Sequence, residues 1–354
     1  MMIMRIKRCL SLRMAKHAWE WNEEMASAFI ASTSQLIPRS SLVHSDHMHY
    51  LVPSIRTVPT EYTIMCGSAA EFCIRPLIVC INNLDFLCAH TNELAFSEEF
   101  PVLPSDLSGL ADTIKCYKIE PYDRYPGFVR LREWGEMNYN WKYKNYEYNY
   151  AAHTNRYICL NLLDAASRNS SGTLERIARP STCRPMAMPE LCGPAIKRLI
   201  YHHTDDDTLE VDFVRSVWCP QWPTEAKGWP NRPRNSGWPT TDTISEVLQT
   251  GCYFVYIQHL SCRKDKLQWR FSFSLAELIL VQSWTQTQQI IYLLLKFFAK
   301  RELIQNDCPK EDEVVCTYHL KTLMLWTCEE MSPEWWNSSS VIAICCELLK
   351  LLAE

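Results

Sequence analysis

The chain has 354 residues, of which 47% are hydrophobic and 21% are charged, and its formal net charge is −4. This composition is typical of a folded globular protein rather than a disordered one, and the charge gives no global electrostatic case for binding nucleic acid or an anionic membrane. Glycine is scarce, with 9 residues, and no G-x-G-x-x-G or G-x-x-x-x-G-K-[ST] motif is present, which argues against Rossmann and P-loop folds.

The cysteines and the apolar segments indicate in which cellular compartment the protein is expected. The 17 cysteines are scattered, odd in number and without a C-x-x-C pair, so we expect most of them to be reduced and buried, as in a cytosolic or nuclear protein. No stretch reaches the ~20 apolar residues that a membrane span needs, and the N-terminus lacks the apolar core of a secretory signal. We therefore expect a cytoplasmic protein with no membrane partner.

The first half of the chain begins with a helical pattern and continues as strands. Apolar residues at helical spacing predict one long amphipathic helix over residues 4–31. Residues 135–156 are rich in Tyr, Asn and Lys and are interpreted as an exposed loop, with a nucleic-acid stacking surface as the alternative, and residues 180–194 are interpreted as a proline-rich loop. The predicted strands are Tyr62–Cys66, Leu77–Ile81, Asp85–Cys88, Ile114–Ile119, Phe128–Arg132 and Leu209–Val217.

The second half of the chain has a helical pattern. Residues 218–240 contain three Trp-Pro pairs, which predict a rigid connector. A strand-rich first half followed by a helical second half predicts an α+β fold of two lobes, which we place at residues 1–240 and 241–354. The predicted helices of the second lobe are Thr243–Thr250, Leu275–Trp284, Gln286–Ile304, Val315–Cys328 and Ser340–Ala353.

Three polar positions on predicted strands suggest phosphate chemistry. Gly67-Ser68 precedes an apolar run that ends in Asn83-Leu84-Asp85, and Asp212 lies on a second alternating strand. Successive strand residues point to opposite faces, so positions 83 and 85 share one face. Carboxylates in such places hold the two Mg²⁺ ions of phosphoryl transfer, although an isolated aspartate at a strand end is more often a turn or cap residue.

The order of motifs along the chain supports the interpretation of these residues as metal-binding carboxylates. Together they resemble the Mab (male abnormal) domain family, which includes cyclic GMP-AMP synthase and the invertebrate receptors like it, over roughly residues 60 to 335. The motifs are Gly67-Ser68-Ala69-Ala70-Glu71, Asn83-x-Asp85, Tyr125-Pro126-Gly127-Phe128, Gly193-Pro194-Ala195, Asp212-Phe213-Val214, Cys219-Pro220-Gln221-Trp222-Pro223, Gly237-Trp238-Pro239, Trp269-Arg270-Phe271-Ser272-Phe273-Ser274 and Tyr318-His319-Leu320-Lys321-Thr322-Leu323.

This resemblance implies a bilobal nucleotidyltransferase-like fold, with an N-terminal spine helix and a mixed sheet in one lobe and helices in the other. It implies Mg²⁺ or Mn²⁺ as cofactor, nucleoside triphosphates such as ATP and GTP as ligands, and double-stranded nucleic acid as an activator. The basic residues Arg5, Arg8 and Lys16 of the first predicted helix fit such an activator, but nearby glutamates make a solvated helix an equal alternative.

The resemblance also implies a role for each matching residue. The catalytic positions are Asn83, Asp85 and Asp212, of which Asp85 and Asp212 can bind metal as carboxylates. The nucleotide-binding positions are Gly67 and Ser68 at the donor triphosphate, Arg270 and Ser272 at a base, Lys296 and Thr317 at the phosphates, and Tyr318 stacked on a base.

Asn83 is the main departure from the family pattern, because catalytic members carry Asp or Glu at that position. An amide offers one neutral oxygen where a carboxylate offers two and a full negative charge, and Mg²⁺ prefers charged oxygen ligands. Phe72 also stands where a glycine is common, and the zinc-binding insertion of the vertebrate DNA sensor is absent. Two hypotheses therefore stay open: a cyclic dinucleotide synthase of innate immune signalling, and a pseudoenzyme of the same fold that binds nucleotide or partners. No oligomeric state is predicted.

Overall fold

The structure is a computed structural model. It describes residues 61–72, 83–97, 113–140, 145–149, 183–185, 190–192, 195–202, 208–257, 268–299, 316–338 and 341–353. The predicted N-terminal helix with its basic residues and the predicted strand Leu77–Ile81 lie outside these residues. Within them, strands occupy the first part of the chain and helices the second, which confirms the α+β class.

The strands of the described residues join one sheet. They are β1 (Glu61–Cys66), β2 (Asn83–Phe96), β3 (Thr113–Pro121), β4 (Phe128–Asn140), β5 (Asn145–Asn149), β6 (Cys183–Pro185), β7 (Glu190–Cys192), β8 (Ala195–His202), β9 (Thr208–Cys219), β10 (Cys252–Tyr256) and β11 (Trp269–Ser272).

Strand β2 organises this sheet because it pairs with three neighbours. Its first half lies between β1, which is antiparallel, and β9, which is parallel, and its end pairs in parallel with β3. The order β2–β3–β4–β11–β10–β9 therefore closes into a ring. Leu131, Val217, Phe254 and Trp269 are fully buried in the core that this ring encloses. Closed pairing leaves these strands no free edge and fixes the register of β2.

Seven helices are found in the described part of the chain, and the first of them, α1, follows β1 without a break. They are α1 (Gly67–Phe72), α2 (Thr241–Gln249), α3 (Ser274–Gln282), α4 (Gln286–Phe298), α5 (Thr317–Glu330), α6 (Pro333–Ser338) and α7 (Val341–Ala353). None of these helices is long and apolar enough to cross a lipid bilayer.

The helices form a core of their own beside the sheet. Ile291, Leu320, Met324 and Leu348 are buried where α4, α5 and α7 meet. Helix α3 also faces the sheet, since Leu275 packs against the cluster formed by β1, β2 and β10. Helix α3 therefore packs against both α1 and the sheet, and this packing places the helical region beside the start of β2.

The Trp-Pro connector is folded onto the helices. Trp222 packs against Trp229 with ring centroids 5.5 Å apart, and the Arg234 guanidinium donates to the Trp229 carbonyl at 2.7 Å. The backbone N–H groups of Asn235 and Ser236 donate to the Glu329 carbonyl of α5, each at 3.2 Å. The connector is thus attached to the helical region by its backbone.

Several sequence interpretations are wrong. The loop expected over residues 135–156 contains the end of β4 paired with β5, and the loop expected over 180–194 contains β6 and β7. The region beyond residue 242 is not purely helical, since β10 and β11 lie there. Strand β4 extends past the predicted Arg132 because pairing with β3 as far as Asn138 and with β5 as far as Asn140 satisfies its backbone groups.

Candidate functional site

Asp85, near the start of β2, lies beside Asp212 of the neighbouring strand β9. Strands β2 and β9 run parallel, and their register places Asp85 opposite Asp212 and Asn83 opposite Glu210. Asp212 is buried, and Asp85 is partly buried. Burial, and then the negative charges of Asp212 and Glu71, raise the pKa of Asp85 to about 6. The predicted pair of carboxylates is therefore together, in a place where a cation would relieve its repulsion.

Gly67 lies directly against this pair. Its φ is +67°, in the left-handed region that favours glycine, and a Cβ built on it would lie 2.1 Å from Oδ2 of Asp85. No other residue could take this position without moving Asp85. The predicted Gly-Ser turn is thus the first turn of α1, and its backbone approaches the carboxylate that sequence analysis assigns to metal binding. The side chains of Ser68 and Asn83 lie outside those described.

Glu71, one helical turn after Gly67, is the centre of a buried ion-pair network. Its Oε1 lies 2.8 Å from Nζ of Lys321, and its Oε2 lies 3.5 Å from Nζ of Lys296. The Tyr292 hydroxyl donates to the same Oε2 at 3.3 Å, and Nζ of Lys321 also lies 2.7 Å from Oε2 of Glu277. We call these five side chains the Glu71 network; they join α1 to α3, α4 and α5.

The pKa values of the network follow from its charges. Burial alone would raise the pKa of the Glu71 carboxyl, but Lys321 and Lys296 hold it below its ordinary value. Burial alone would lower the pKa of the Lys321 ammonium, but the charges of Glu71 and Glu277 raise this pKa above its ordinary value. Burial lowers the pKa of Lys296, which Glu71 offsets only in part, and burial raises the pKa of the Tyr292 hydroxyl. Lys321 is therefore the more firmly charged of the two lysines.

The remaining predicted residues lie on β11 and at the start of α5, and they are exposed or partly exposed. Arg270 is exposed on β11, and the Ser272 hydroxyl shares a hydrogen bond of 2.9 Å with that of Ser274. Tyr318 is 57% exposed in the first turn of α5, which begins at Thr317, and Nζ of Lys321 lies 5.9 Å from its ring centroid. An exposed ring of this kind offers a face on which a base could stack.

The donor set fits one divalent cation better than two. Asp85 and Asp212 supply hard oxygen ligands of the type that Mg²⁺ and Mn²⁺ prefer. The third family position, 83, is an amide, and Glu71 is already neutralised by two lysines. Among the described residues, no group of three or more His, Cys, Asp and Glu side chains is arranged to hold a metal ion. A bound cation would neutralise phosphate charge at the aspartate pair.

Sequence reasoning missed the network residues Glu71, Glu277, Tyr292 and Lys321 as parts of the site. A signal was present, because Tyr292 and Lys296 are four residues apart and so share one face of α4. Glu71 also belongs to the Gly-Ser-x-x-Glu motif. What the sequence could not provide is the partner, since Lys321 lies 250 positions from Glu71 in the chain.

A mixed sheet with paired aspartates beside a Gly-Ser turn, joined to a helical region, is the arrangement of the nucleotidyltransferase-like fold class. The chain belongs to the Mab-21 family. The model of the Mab-21 protein nucleotidyltransferase domain matches residues 165–283, and that of the Mab-21 protein HhH/H2TH-like domain matches residues 287–354. These matches confirm the resemblance seen in the sequence motifs.

One curated relative shows the same similarity at a distance. Protein mab-21-like 3 of Danio rerio is 27% identical to this chain over 146 residues, a match that covers 40% of this chain and 33% of the relative. The match therefore spans about a third of that protein's length.

Proposed function

We propose that this protein is a nucleotidyltransferase that binds nucleoside triphosphates beside the Asp85–Asp212 pair and joins them into a cyclic dinucleotide. The observation that carries this proposal is the register of β2 and β9, which sets the two carboxylates together under the backbone of Gly67. Carboxylates can hold a cation for the triphosphate, and backbone N–H groups at a glycine turn can bind its oxygens. Family membership supports the nucleotidyltransferase class.

In the proposed reaction a 2′- or 3′-hydroxyl oxygen of one nucleotide attacks the α-phosphorus of another. In each of two successive transfers a new phosphorus–oxygen bond forms, the bond to the pyrophosphate leaving group breaks, and the hydroxyl proton passes to solvent; the first transfer gives a linear dinucleotide and the second closes the ring. Mg²⁺ or Mn²⁺ at Asp85 and Asp212 would supply charge neutralisation. Within this proposal, Gly67, Ser68, Lys296 and Thr317 contact phosphates, and Arg270, Ser272 and Tyr318 contact bases.

The resemblance to cyclic GMP-AMP synthase also suggests the substrates, the cellular role and the activator of the protein. It supports ATP and GTP as substrates, a role in innate immune signalling, a cytoplasmic site of action and activation by double-stranded nucleic acid. We also propose that the chain divides at residue 240 into a nucleotidyltransferase-like lobe with a spine helix, residues 1–240, and a mainly helical second lobe, residues 241–354, which contributes β10 and β11 to the sheet.

A second candidate function is favoured by Asn83. With an amide at the third metal position, the site keeps two carboxylates, which suffice for one cation and a triphosphate but not for the two cations of phosphoryl transfer. The protein would then be a pseudoenzyme that binds nucleotide or partners without turnover. The two candidates share the binding site and differ only in whether product forms.

One experiment separates the two candidates. Purified protein is incubated with the four labelled nucleoside triphosphates, Mg²⁺ or Mn²⁺, and double-stranded RNA or DNA, beside Asn83→Asp. Asn82→Asp, which adds the same charge one position away, is the matched control. Product from the wild type contradicts the pseudoenzyme, and product from Asn83→Asp alone supports it.

If none of these proteins makes product, binding is measured by thermal shift with ATP or GTP and Mn²⁺. A ligand at 100 times its Kd stabilises a protein by about 2.7 kcal/mol, which is readily seen as a rise in Tm. No rise with any nucleotide would contradict the binding proposal itself. A rise that is lost in Asp212→Asn would support it.

A further inference from the structure

Cys219 and Cys252 face each other at the base of the Trp-Pro connector. The antiparallel register pairs the last residue of β9 with the first residue of β10, and these two residues are the cysteines. Both are free thiols, each is 1% exposed, and the two thiols hydrogen-bond to each other. No other cysteine on the described strands lies opposite a second cysteine in the register of the sheet.

The backbone geometry of this pair lies within the range that a disulfide requires. Residues directly opposite each other on antiparallel strands have Cα atoms about 4.5–5.5 Å apart, and disulfides span Cα separations of about 4.4–6.8 Å. The two sulfur atoms, which are already in contact, need to approach to about 2.05 Å. Side-chain rotation is sufficient for this approach, so neither strand has to shift.

Contacts on both sides of the pair hold the two strand ends together. The Trp218 indole N–H donates to the Thr250 carbonyl at 3.0 Å, and the Cys219 thiol donates to the Gln221 carbonyl at 3.3 Å. Gly251 has a φ of +61°, and a Cβ added to it would lie 2.0 Å from the Cys219 carbonyl oxygen. The turn that leads into β10 is therefore packed directly on Cys219, and this packing keeps the two thiols opposite each other.

The start of the connector gives a small oxidant access to Cys219. Pro220 and Gln221 are partly exposed, and strand ends open locally at a lower free energy than strand centres. The hydrogen bond between the thiols lowers the pKa of Cys219 and raises the pKa of Cys252. Cys219 is therefore the sulfur that reacts first, because the thiolate is the nucleophile in thiol oxidation.

We propose that Cys219 and Cys252 form a dithiol modification site, at which hydrogen peroxide produces a disulfide that closes residues 220–251 into a covalent ring. The Cys219 sulfur attacks the peroxide, the oxygen–oxygen bond breaks, and a sulfenic acid and one water are formed. The Cys252 thiol then attacks this sulfur, the sulfur–sulfur bond forms, and the sulfenic oxygen leaves as a second water. Two thiols are thereby oxidised, and one peroxide is reduced to two waters.

The disulfide acts on the connector and on α2, because both lie between the two cysteines. The connector is attached to α5 at Glu329, and α2 packs against α3. A covalent link at the base of this segment removes conformations from the unfolded chain and keeps β9 joined to β10. The site is independent of the nucleotide site, so failure of either leaves the other untouched.

Peptide mapping of the oxidised wild type tests the site directly. The folded protein is treated with hydrogen peroxide, the peroxide is removed, the remaining thiols are alkylated in urea, and an unreduced digest is examined by mass spectrometry. We expect a peptide pair that joins Cys219 to Cys252, lighter by two hydrogen atoms than the two separate peptides and lost after dithiothreitol. Recovery of both cysteines in alkylated form, or as sulfinic acids without the link, would overturn the proposal. Links spread over many of the 17 cysteines would also overturn it, because they indicate general oxidation.

Thermal unfolding of the same samples tests what the link does. We expect oxidation to raise the Tm of the wild type by about 5 °C and dithiothreitol to reverse this rise. Cys219→Ser should show no rise, whereas Cys116→Ser, the matched control at another buried cysteine of the sheet, should keep it. If Cys219→Ser does not fold, Cys252→Ala is used with the same expectation. An equal rise in the variant without the pair, or a linked wild type with unchanged Tm, would overturn the role of the link in closing this segment.

Discussion

At Gly67 the backbone conformation directly affects the proposed metal site, because this residue has a positive φ and lies against Asp85. Gly67→Ala adds a Cβ that would lie 2.1 Å from Oδ2 of Asp85, at a φ of +67° that costs an alanine about 1–2 kcal/mol. We expect a loss of about 3 kcal/mol in the free energy of unfolding once the overlap is included, together with loss of nucleotide-dependent stabilisation. Urea unfolding and thermal shift measure the two effects.

Gly127→Ala is the matched control for this substitution. Gly127 has a φ of +85°, but no atom lies within 4 Å of the Cβ that would be added. This variant should lose only the about 1–2 kcal/mol of backbone strain and keep any nucleotide binding. Equal losses in the two variants would show that contact with Asp85 is unimportant.

The Glu71 carboxyl makes stability depend on pH. Its pKa is held below the ordinary value in the folded protein, so its contribution is complete above about pH 4.5 and is lost as the pH falls through the lowered pKa. The groups that face it are Lys321, Lys296, Tyr292 and, through its charge, Asp85. We expect the free energy of unfolding of the wild type to exceed that of Glu71→Gln by about 3 kcal/mol at pH 7. Below pH 4.5 we expect this difference to be smaller.

Urea unfolding of both proteins from pH 7 to pH 3.5 measures this difference. Glu347→Gln is the control, because Glu347 is 56% exposed beside Lys350 and such surface pairs contribute about 0–1 kcal/mol. A difference that stays constant across this range would mean that the pKa of Glu71 is the same in the folded and the unfolded protein.

At the residue scale, the sequence predicted the aspartates but not their setting. Asp85 and Asp212 were singled out from strand alternation and the family motifs, and the register of β2 and β9 places them opposite each other. Glu71 and Lys321 did not stand out, since a charged residue on a helix is usually solvated. Their pairing depends on how α5 packs near α1, which no local pattern encodes.

At the scale of elements, the strongest sequence signals were the helices of the second half. Helix α4 begins at Gln286, as predicted, because Thr285 and Gln288 form a capping box in which each side chain accepts from the backbone N–H of the other. Strand β10 was missed because its five residues are all buried, and a short continuous apolar run has no strand periodicity. Strand β11 has only four residues, too few for any pattern.

The capping box of α4 gives a prediction for one element. Thr285→Ala removes the side-chain oxygen that accepts from the Gln288 N–H at 3.3 Å, and we expect a loss of about 1 kcal/mol in the free energy of unfolding. Thr285→Ser keeps the hydroxyl and should lose much less. Because α4 carries Tyr292 and Lys296, a fall in nucleotide-dependent Tm shift in Thr285→Ala alone would show that the start of this helix also supports the site. Equal stability of the two variants would contradict the capping role.

For the whole molecule, the question is how the sheet and the helical region keep one relative position. Apart from the packing of α3 on the sheet, two further sets of contacts in the described residues bear on this question. One is the Glu71 network, and the other is the Trp-Pro connector, which runs from the end of β9 to the start of α2 and is attached to α5 at Glu329. The sequence predicted the stiffness of the connector from its prolines, but it could not predict the anchor, because Glu329 is almost a hundred positions further along the chain.

Glu329 is buried, and its side chain pairs with Arg232 and lies 3.7 Å from Nε of Arg234. Glu329→Gln leaves these two guanidinium groups without their counter-charge, and we expect a loss of about 3 kcal/mol in the free energy of unfolding. Glu330→Gln changes the exposed neighbour and should stay within about 0.5 kcal/mol of the wild type in its free energy of unfolding.

If the connector holds the two regions together, Glu329→Gln should also separate the unfolding of sheet and helices, seen as different midpoints for tryptophan fluorescence and helical circular dichroism. Coincident midpoints with an unchanged free energy would mean that the contact between Glu329 and the connector is not needed to maintain the arrangement.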